Sequence, residues 1–179
     1  MHKNLLLSFS LILISSCSTL AFWSDESEEE TVEPVELQSI QNEFPVSIQW
    51  KKSFKGSNTL GSFKPSFYSG EMLIADPEGN IVSNNPQSGK MNWKIALERE
   101  LSAGIAAGFG KLVVSDTNGF VIALDSATKE ILWEKNIGGE VLSNAVVNAS
   151  LVLVKNSVGE LVALNSSTGE IKWSFRSQL

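Results

Sequence analysis

The side chains that could do chemistry are few. One cysteine, Cys17, and one histidine, His2, serve a chain of 179 residues, and both lie within its first 17. Everything beyond lacks thiol and imidazole, which excludes disulfides within the chain, thiolate- or His-bound metal sites and any Ser-His or Cys-His catalytic pair. Carboxylate, lysine or backbone chemistry remains, or no chemistry at all. The run Gly104-Ile105-Ala106-Ala107-Gly108-Phe109-Gly110 is neither a P-loop nor a dinucleotide fingerprint, and it leads into a strand pattern, so it reads as a strand and its turn. Residues 76–80 and 116–119 begin like Ca²⁺ loops but lack the later carboxylates, and read as turns. No catalytic, cofactor-binding or metal-binding residue is assigned.

Charge is unevenly placed. The formal net charge is −6, yet eight of the acids (Asp25, Glu26, Glu28, Glu29, Glu30, Glu33, Glu36, Glu43) fall in residues 25–43, a stretch with no base. From Lys51 onward 13 bases face 12 acids, so the body is near neutral and offers no basic face for nucleic acid. Met1-His2-Lys3-Asn4 and the mostly apolar residues 5–14 form the n- and h-regions of a signal peptide, too short to span a hydrocarbon core of about 30 Å. Ile14-Ser15-Ser16-Cys17 resembles a bacterial lipobox, which implies cleavage after residue 16 and lipidation of Cys17. Ser18 after the cysteine implies sorting to the outer membrane. The acyl chains would then be the anchor. Residues 17–44 read as an acidic, self-repelling tether with a coil-like reach of about 25–30 Å.

The elements beyond the tether repeat. Trp93, Trp133 and Trp173 are spaced by 40, as are Gly79, Gly119 and Gly159, while Trp50 precedes Trp93 by 43. A fixed period near 40 with one Trp per unit points to an array of supersecondary units. Within each unit short β-branched runs alternate with Asp/Asn-x-x-Gly turns, whose glycines (Gly79, Gly119, Gly159) supply positive φ. First strands are expected over 103–108 and 142–147, and a fourth strand ends on each Trp. Four antiparallel strands in about 40 residues is a propeller blade. The fold class is therefore all-β, a β-propeller over residues 45–179, with three blades and one extra strand.

Ala163-Leu164-Asn165-Ser166-Ser167-Thr168-Gly169-Glu170-Ile171-Lys172-Trp173 resembles the tryptophan-docking pattern A-x-[DN]-x-x-T-G-x-x-x-W of quinoprotein-like (PQQ-repeat) propellers. Residues 123–133, from Ala123 through Thr128 to Trp133, match it except for Lys129 in place of Gly, and residues 83–93 keep Gly89 and Trp93 but carry Ser83 and Ser88. The resemblance implies that Trp93, Trp133 and Trp173 are blade-docking residues whose indoles lie between neighbouring blades, with Ala123, Ala163, Thr128, Thr168 and Gly169 as further residues of the docking motif, the Thr-Gly holding the preceding turn. Pyrroloquinoline-quinone dehydrogenases share this motif but use a vicinal cysteine pair and an acidic metal site. No cysteine follows residue 17 here.

The lipobox, the acidic tether, Asn42-Glu43-Phe44-Pro45-Val46 before Trp50, and the stretch from Gly139 through Trp173 are together similar to the BamB family of outer-membrane protein assembly factors. The resemblance implies an eight-bladed, non-enzymatic scaffold lipoprotein at the periplasmic face of the outer membrane. It implies docking on the POTRA domains of a BamA-like barrel subunit, among the other components of the BAM complex, with unfolded barrel precursors as further partners and no cofactor. The alternatives are another periplasmic PQQ-repeat lipoprotein with a different partner, or a fragment of a PQQ-dependent dehydrogenase. Eight blades need about 320 residues, so a truncated product is expected, with Val46 to Phe54 lacking a partner blade and residues 45–179 prone to self-association. The family's docking loop has no match in the sequence, and Arg176 reads as a solvent-facing strand end.

Overall fold

In a computed structural model the structure describes residues 36–37, 44–54 and 60–176. The expected signal peptide, Cys17 and most of the tether lie outside the described residues. Contacts divide the chain into Met1–Pro45 and Val46–Leu179. In the first unit Glu36, Leu37, Phe44 and Pro45 are exposed.

All regular structure among the described residues is β. The first sheet joins β1 (Ser66–Tyr68), β2 (Glu71–Ala75), β3 (Asn80–Asn84) and β4 (Met91–Ala96). The second joins β5 (Leu101–Gly108), β6 (Lys111–Asp116), β7 (Phe120–Asp125) and β8 (Ile131–Asn136). The third joins β9 (Val146–Val147), β10 (Leu151–Lys155), β11 (Glu160–Asn165) and β12 (Ile171–Arg176). Each sheet is an antiparallel meander in chain order, and the three are successive blades of a β-propeller.

Side-chain alternation explains why blades stack. On β7, Val121 and Ala123 join Val113, Val152, Val154, Val162 and Leu164 in a core between blades 2 and 3. The intervening Ile122 and Leu124 join Leu73, Ala75, Ile81, Leu112 and Val114 in a core between blades 1 and 2. Both faces of the middle blade are thus apolar and covered, and its strands read as near-continuous hydrophobic runs. The turns follow the sequence signals. Asp116 Oδ1 accepts from Asn118 N (3.0 Å) and Phe120 N (2.8 Å), and Gly119 has φ 81°. Asp76 and Asn156 accept from Asn80 N and Glu160 N at 3.0 and 2.8 Å. The tight Phe109-Gly110 turn has positive φ at both residues, 49° and 77°, which suits the twist of a two-residue hairpin.

Linkers from a fourth strand to the next first strand are stitched to both blades. Leu97 N and Leu101 N donate to Gly79 O and Pro77 O, each at 3.0 Å, and Thr117 N donates to Glu100 O at 3.1 Å. Ser102 Oγ lies 2.7 Å from Val141 O and 3.0 Å from Asp116 O, so one hydroxyl ties blade 2 to blade 3.

One sequence expectation is corrected. The first strand of blade 3, expected over 142–147, is reduced to Val146–Val147, with a lone bridge from Val141 to Asn156. The cause is the segment before β1. Ser62 N donates to Leu142 O (2.8 Å) and Gly104 N donates to Ser62 O (2.9 Å), while Asn144 Nδ2 donates to Ile105 O (2.7 Å) and Lys64 O (3.1 Å). Residues 142–144 are thereby drawn toward this segment and away from β10. Glycines on both sides permit the approach, because a Cβ at Gly61 of this segment would overlap the Ser102 carbonyl oxygen and one at Gly104 of β5 would lie 2.9 Å from Lys64 N. Val46 to Phe54, expected to lack a partner blade, joins no sheet among the described residues, and two of its side chains rest on blade 1, as described below.

Gly61→Ala is expected to destabilise the body by about 1–3 kcal/mol through overpacking, read as a lower urea midpoint. A second expectation concerns pH. Backbone hydrogen bonds from Thr128 N and Ala127 N, both 2.8 Å, and the nearby Lys129 charge hold the Asp125 carboxyl below its ordinary pKa. Its contribution is complete above about pH 4, the unfolded value, and is lost as pH falls through the lower folded value. Asn85 and Asn165 make the same turn bonds in the other blades. Asp125→Asn should therefore leave neutral stability near wild type and flatten this part of the acid limb in urea titrations across pH.

Candidate functional site

The conserved spacing of tryptophans within the chain resolves into sockets between neighbouring blades, each built where the turn between the third and fourth strands meets an indole from the preceding unit. Trp133, 8% exposed, leaves β8 and lies on the turn of blade 3. Its Nε1 donates to Ser166 O (2.9 Å), and a Cβ at Gly169 would sit 2.6 Å from the ring. Glycine is required there twice over, by that contact and by φ 72°. Thr168 caps the same turn by accepting from Glu170 N (3.4 Å), and Thr128 accepts from Glu130 N (3.3 Å). Ala123 and Ala163 pair across the ladder with Trp133 and Trp173, and both alanines are fully buried. A small residue opposite the indole leaves room for the ring.

The socket between blades 1 and 2 is built differently. Lys129 stands at the glycine position with φ 68°, and its Nζ lies 4.4 Å from the Trp93 ring centroid. The ammonium donates to Ser126 O and Ala127 O. Ser126 O is the repeat equivalent of the carbonyl that receives Trp133, and with that acceptor taken Trp93 Nε1 donates to Glu71 Oε2 (3.1 Å). A cation–π contact and a charge-assisted hydrogen bond replace packing on glycine.

A third socket, unassigned from the sequence, belongs to blade 1. Trp50 Nε1 donates to Pro86 O (2.9 Å), and a Cβ at Gly89 would meet the Trp50 ring at 2.7 Å. Lys52 Nζ donates to Asn84 Oδ1 (2.5 Å). The signal was present in the spacing of Trp50 from Trp93. Trp173 has no socket among the described residues and is 44% exposed, with Ile171 and Phe175 beside it at 47% and 62%. Arg176 is an exposed strand end, 3.8 Å from Glu160.

The turn glycines Gly79, Gly119 and Gly159 lie in the hairpins between second and third strands, at the opposite blade end from the sockets. There Arg99 was missed by sequence reasoning. Its guanidinium pairs with Asp116 (3.3 Å) and Glu134 (3.2 Å), fastening the linker after blade 1 to blade 2. A cleft of about 350 Å³ at blade 3 is lined by Leu142, Ser143, Lys155, Asn156, Ser157 and Gly159, with no carboxylate to act as acid or base. No cluster of three or more His, Cys, Asp or Glu suited to a metal ion occurs among the described residues. What this arrangement does chemically is bind indoles and hold sheets together. Gly169→Ala should lower stability by about 1–3 kcal/mol and shift Trp emission to longer wavelength as Trp133 is lifted from its turn.

Comparison with known proteins places these features. A family profile described as "Outer membrane protein assembly factor BamB" matches residues 49–179. A curated protein of that name from Nitrosomonas eutropha is 30% identical over 109 residues, covering 56% of this chain and 26% of the relative. The chain thus matches about a quarter of that relative's length. The crystal structure of BamB from Moraxella catarrhalis aligns with a TM-score of 0.56 at 20% identity, over 64% of this chain and 35% of that one. A quinohemoprotein alcohol dehydrogenase from Comamonas testosteroni aligns with a TM-score of 0.53 at 22% identity, over 64% and 20%, a likeness of fold alone. Since the profile spans well over half of the chain and takes in all three blades and Trp50, the chain belongs to the BamB family of outer membrane protein assembly factors.

Proposed function

We propose that this protein is a non-enzymatic scaffold lipoprotein of the outer-membrane β-barrel assembly (BAM) complex, held at the periplasmic face by lipid on Cys17. Residues 1–16 serve as the signal and residues 17–44 as an acidic tether for the propeller over 45–179. The observation that carries the reading is the family match across residues 49–179. The sockets agree with it, because Trp50, Trp93 and Trp133 and their turns are engaged in packing between blades, as a rigid platform requires. The family resemblance further favours docking on the POTRA domains of a BamA-like subunit, and barrel precursors pairing with exposed strand edges by β-augmentation. Blade edges supply unpaired donors and acceptors for such pairing.

The test is affinity isolation of the native gene product from outer membranes in mild detergent, with the intact mass of the bait recorded. Co-purification of a POTRA-bearing barrel and an acyl-modified Cys17 are the expected results. Cys17→Ser should release the protein from the membrane fraction. A lipidated bait that brings down no such barrel overturns the assignment to the complex.

A further inference from the structure

Four segments of this chain carry a tryptophan in the same local setting: Ile48-Gln49-Trp50, Met91-Asn92-Trp93, Ile131-Leu132-Trp133 and Ile171-Lys172-Trp173. An indole alone therefore cannot tell one socket from another, and a repeat array with interchangeable plugs is exposed to misassembly between blades. Among its differences from the other blades, blade 1 carries a buried polar side chain on its outer face. Leu124 and Leu164, spaced by the repeat, each close the face of their blade toward the preceding one, and both are fully buried. In blade 1 that register holds Asn84, equally buried at 0% exposure.

In two of the repeats the side chain two residues after the Trp is turned to this face of the next blade. In blade 2 it is Ile95, packed against the core that contains Leu124. For the N-terminal segment it is Lys52, whose ammonium is bonded to Asn84 Oδ1. Asn84 Nδ2 is buried without a partner, so the bond from Lys52 to Oδ1 is the contact that keeps the other end of the amide satisfied. The corresponding residue after Trp173 is Phe175. An apolar side chain at this place would leave both ends of the Asn84 amide unsatisfied, the costly direction of the asymmetry between made and unmade hydrogen bonds. Lysine is not itself the discriminator. Lysine also stands two residues after Trp133, as Lys135, and the aliphatic stem of a lysine can lie on an apolar neighbour.

We propose that Asn84 keys the outer face of blade 1 to the Trp50 segment through Lys52, and excludes the tryptophan strands that place Ile95 or Phe175 at the same point. The segment has little else to hold it. Val46 and Ile48 are 95% and 84% exposed, and it shares no ladder with a neighbouring strand among the described residues. Specificity of this kind is a difference between affinities, obtained by making the wrong partner worse.

The test uses the full chain. Endoproteinase Lys-C cleavage after Lys51 under native conditions reports release of the segment, and Lys51 remains in every variant. Asn84→Leu is expected to speed this cleavage about ten-fold, the equivalent of one charge-assisted hydrogen bond. Adding Lys52→Phe to Asn84→Leu should restore the slow rate by recreating the apolar pairing of blade 2. Unchanged cleavage in Asn84→Leu, or no rescue by the pair, overturns the proposal. Exclusion is read separately in the Trp50→Ala chain, whose socket is vacant, by fluorescence anisotropy of labelled peptides. A peptide of residues 46–54 should bind and one of residues 169–176 should not, and Asn84→Leu should reverse that order. Equal binding of the two peptides also overturns it. Should Trp50→Ala fail to fold, the cleavage series decides alone.

Discussion

A four-stranded blade has two apolar faces and can cover neither by itself. The middle blade shows what that demands, since Val121 and Ala123 on one side and Ile122 and Leu124 on the other are all fully buried. Burying each larger side chain is worth about 1.5–3 kcal/mol, and at each blade that burial requires a neighbour. Stability is therefore shared across interfaces, as in other repeat architectures. The linkers, the tryptophans and the Arg99 ion pairs all serve to keep adjacent sheets at the spacing this burial requires.

The sockets meet one requirement with different chemistry. Gly89 and Gly169 accept an indole by having no side chain, and a main-chain carbonyl takes the ring N–H. Lys129 fills the place of the missing hydrogen with a charge and hands the N–H to Glu71. A motif that looks degraded in sequence is thus replaced by another set of contacts, and the blades keep their packing. Position within the repeat constrains the contact more strongly than residue type does.

Local and periodic features were legible in the sequence. Trp93, Trp133 and Trp173, the turn glycines and the alternating runs on β6, β7, β10 and β11 each follow from patterns within one repeat. The motif implies indoles between neighbouring blades, but Gly169 reads together with Trp173, and its contact with Trp133 emerges only from the structure. The parts not legible join residues with no periodic relation. Trp50 was placed by its spacing, but not its contact with blade 1, because the three residues that shift its interval hide the repeat. Arg99 has no counterpart in the other linkers, where Gly139 stands at the equivalent position. The shortening of β9 depends on a backbone segment 80 residues earlier in the chain, and no window of sequence contains both.

That segment has a consequence for the order in which the molecule is made. The turns that close each hairpin of a blade span only a few residues and form quickly. The bonds from Ser62 to Leu142 and from Asn144 to Lys64 span 80 residues, and loop-closure entropy delays such contacts. The bonds from residues 62 and 64 to blade 3 must wait until that blade has been synthesised and has folded enough to present Leu142 and Asn144, while Ser62 O already accepts from Gly104 N of blade 2. An early part of the body is then secured in two stages, first on blade 2 and only later on blade 3.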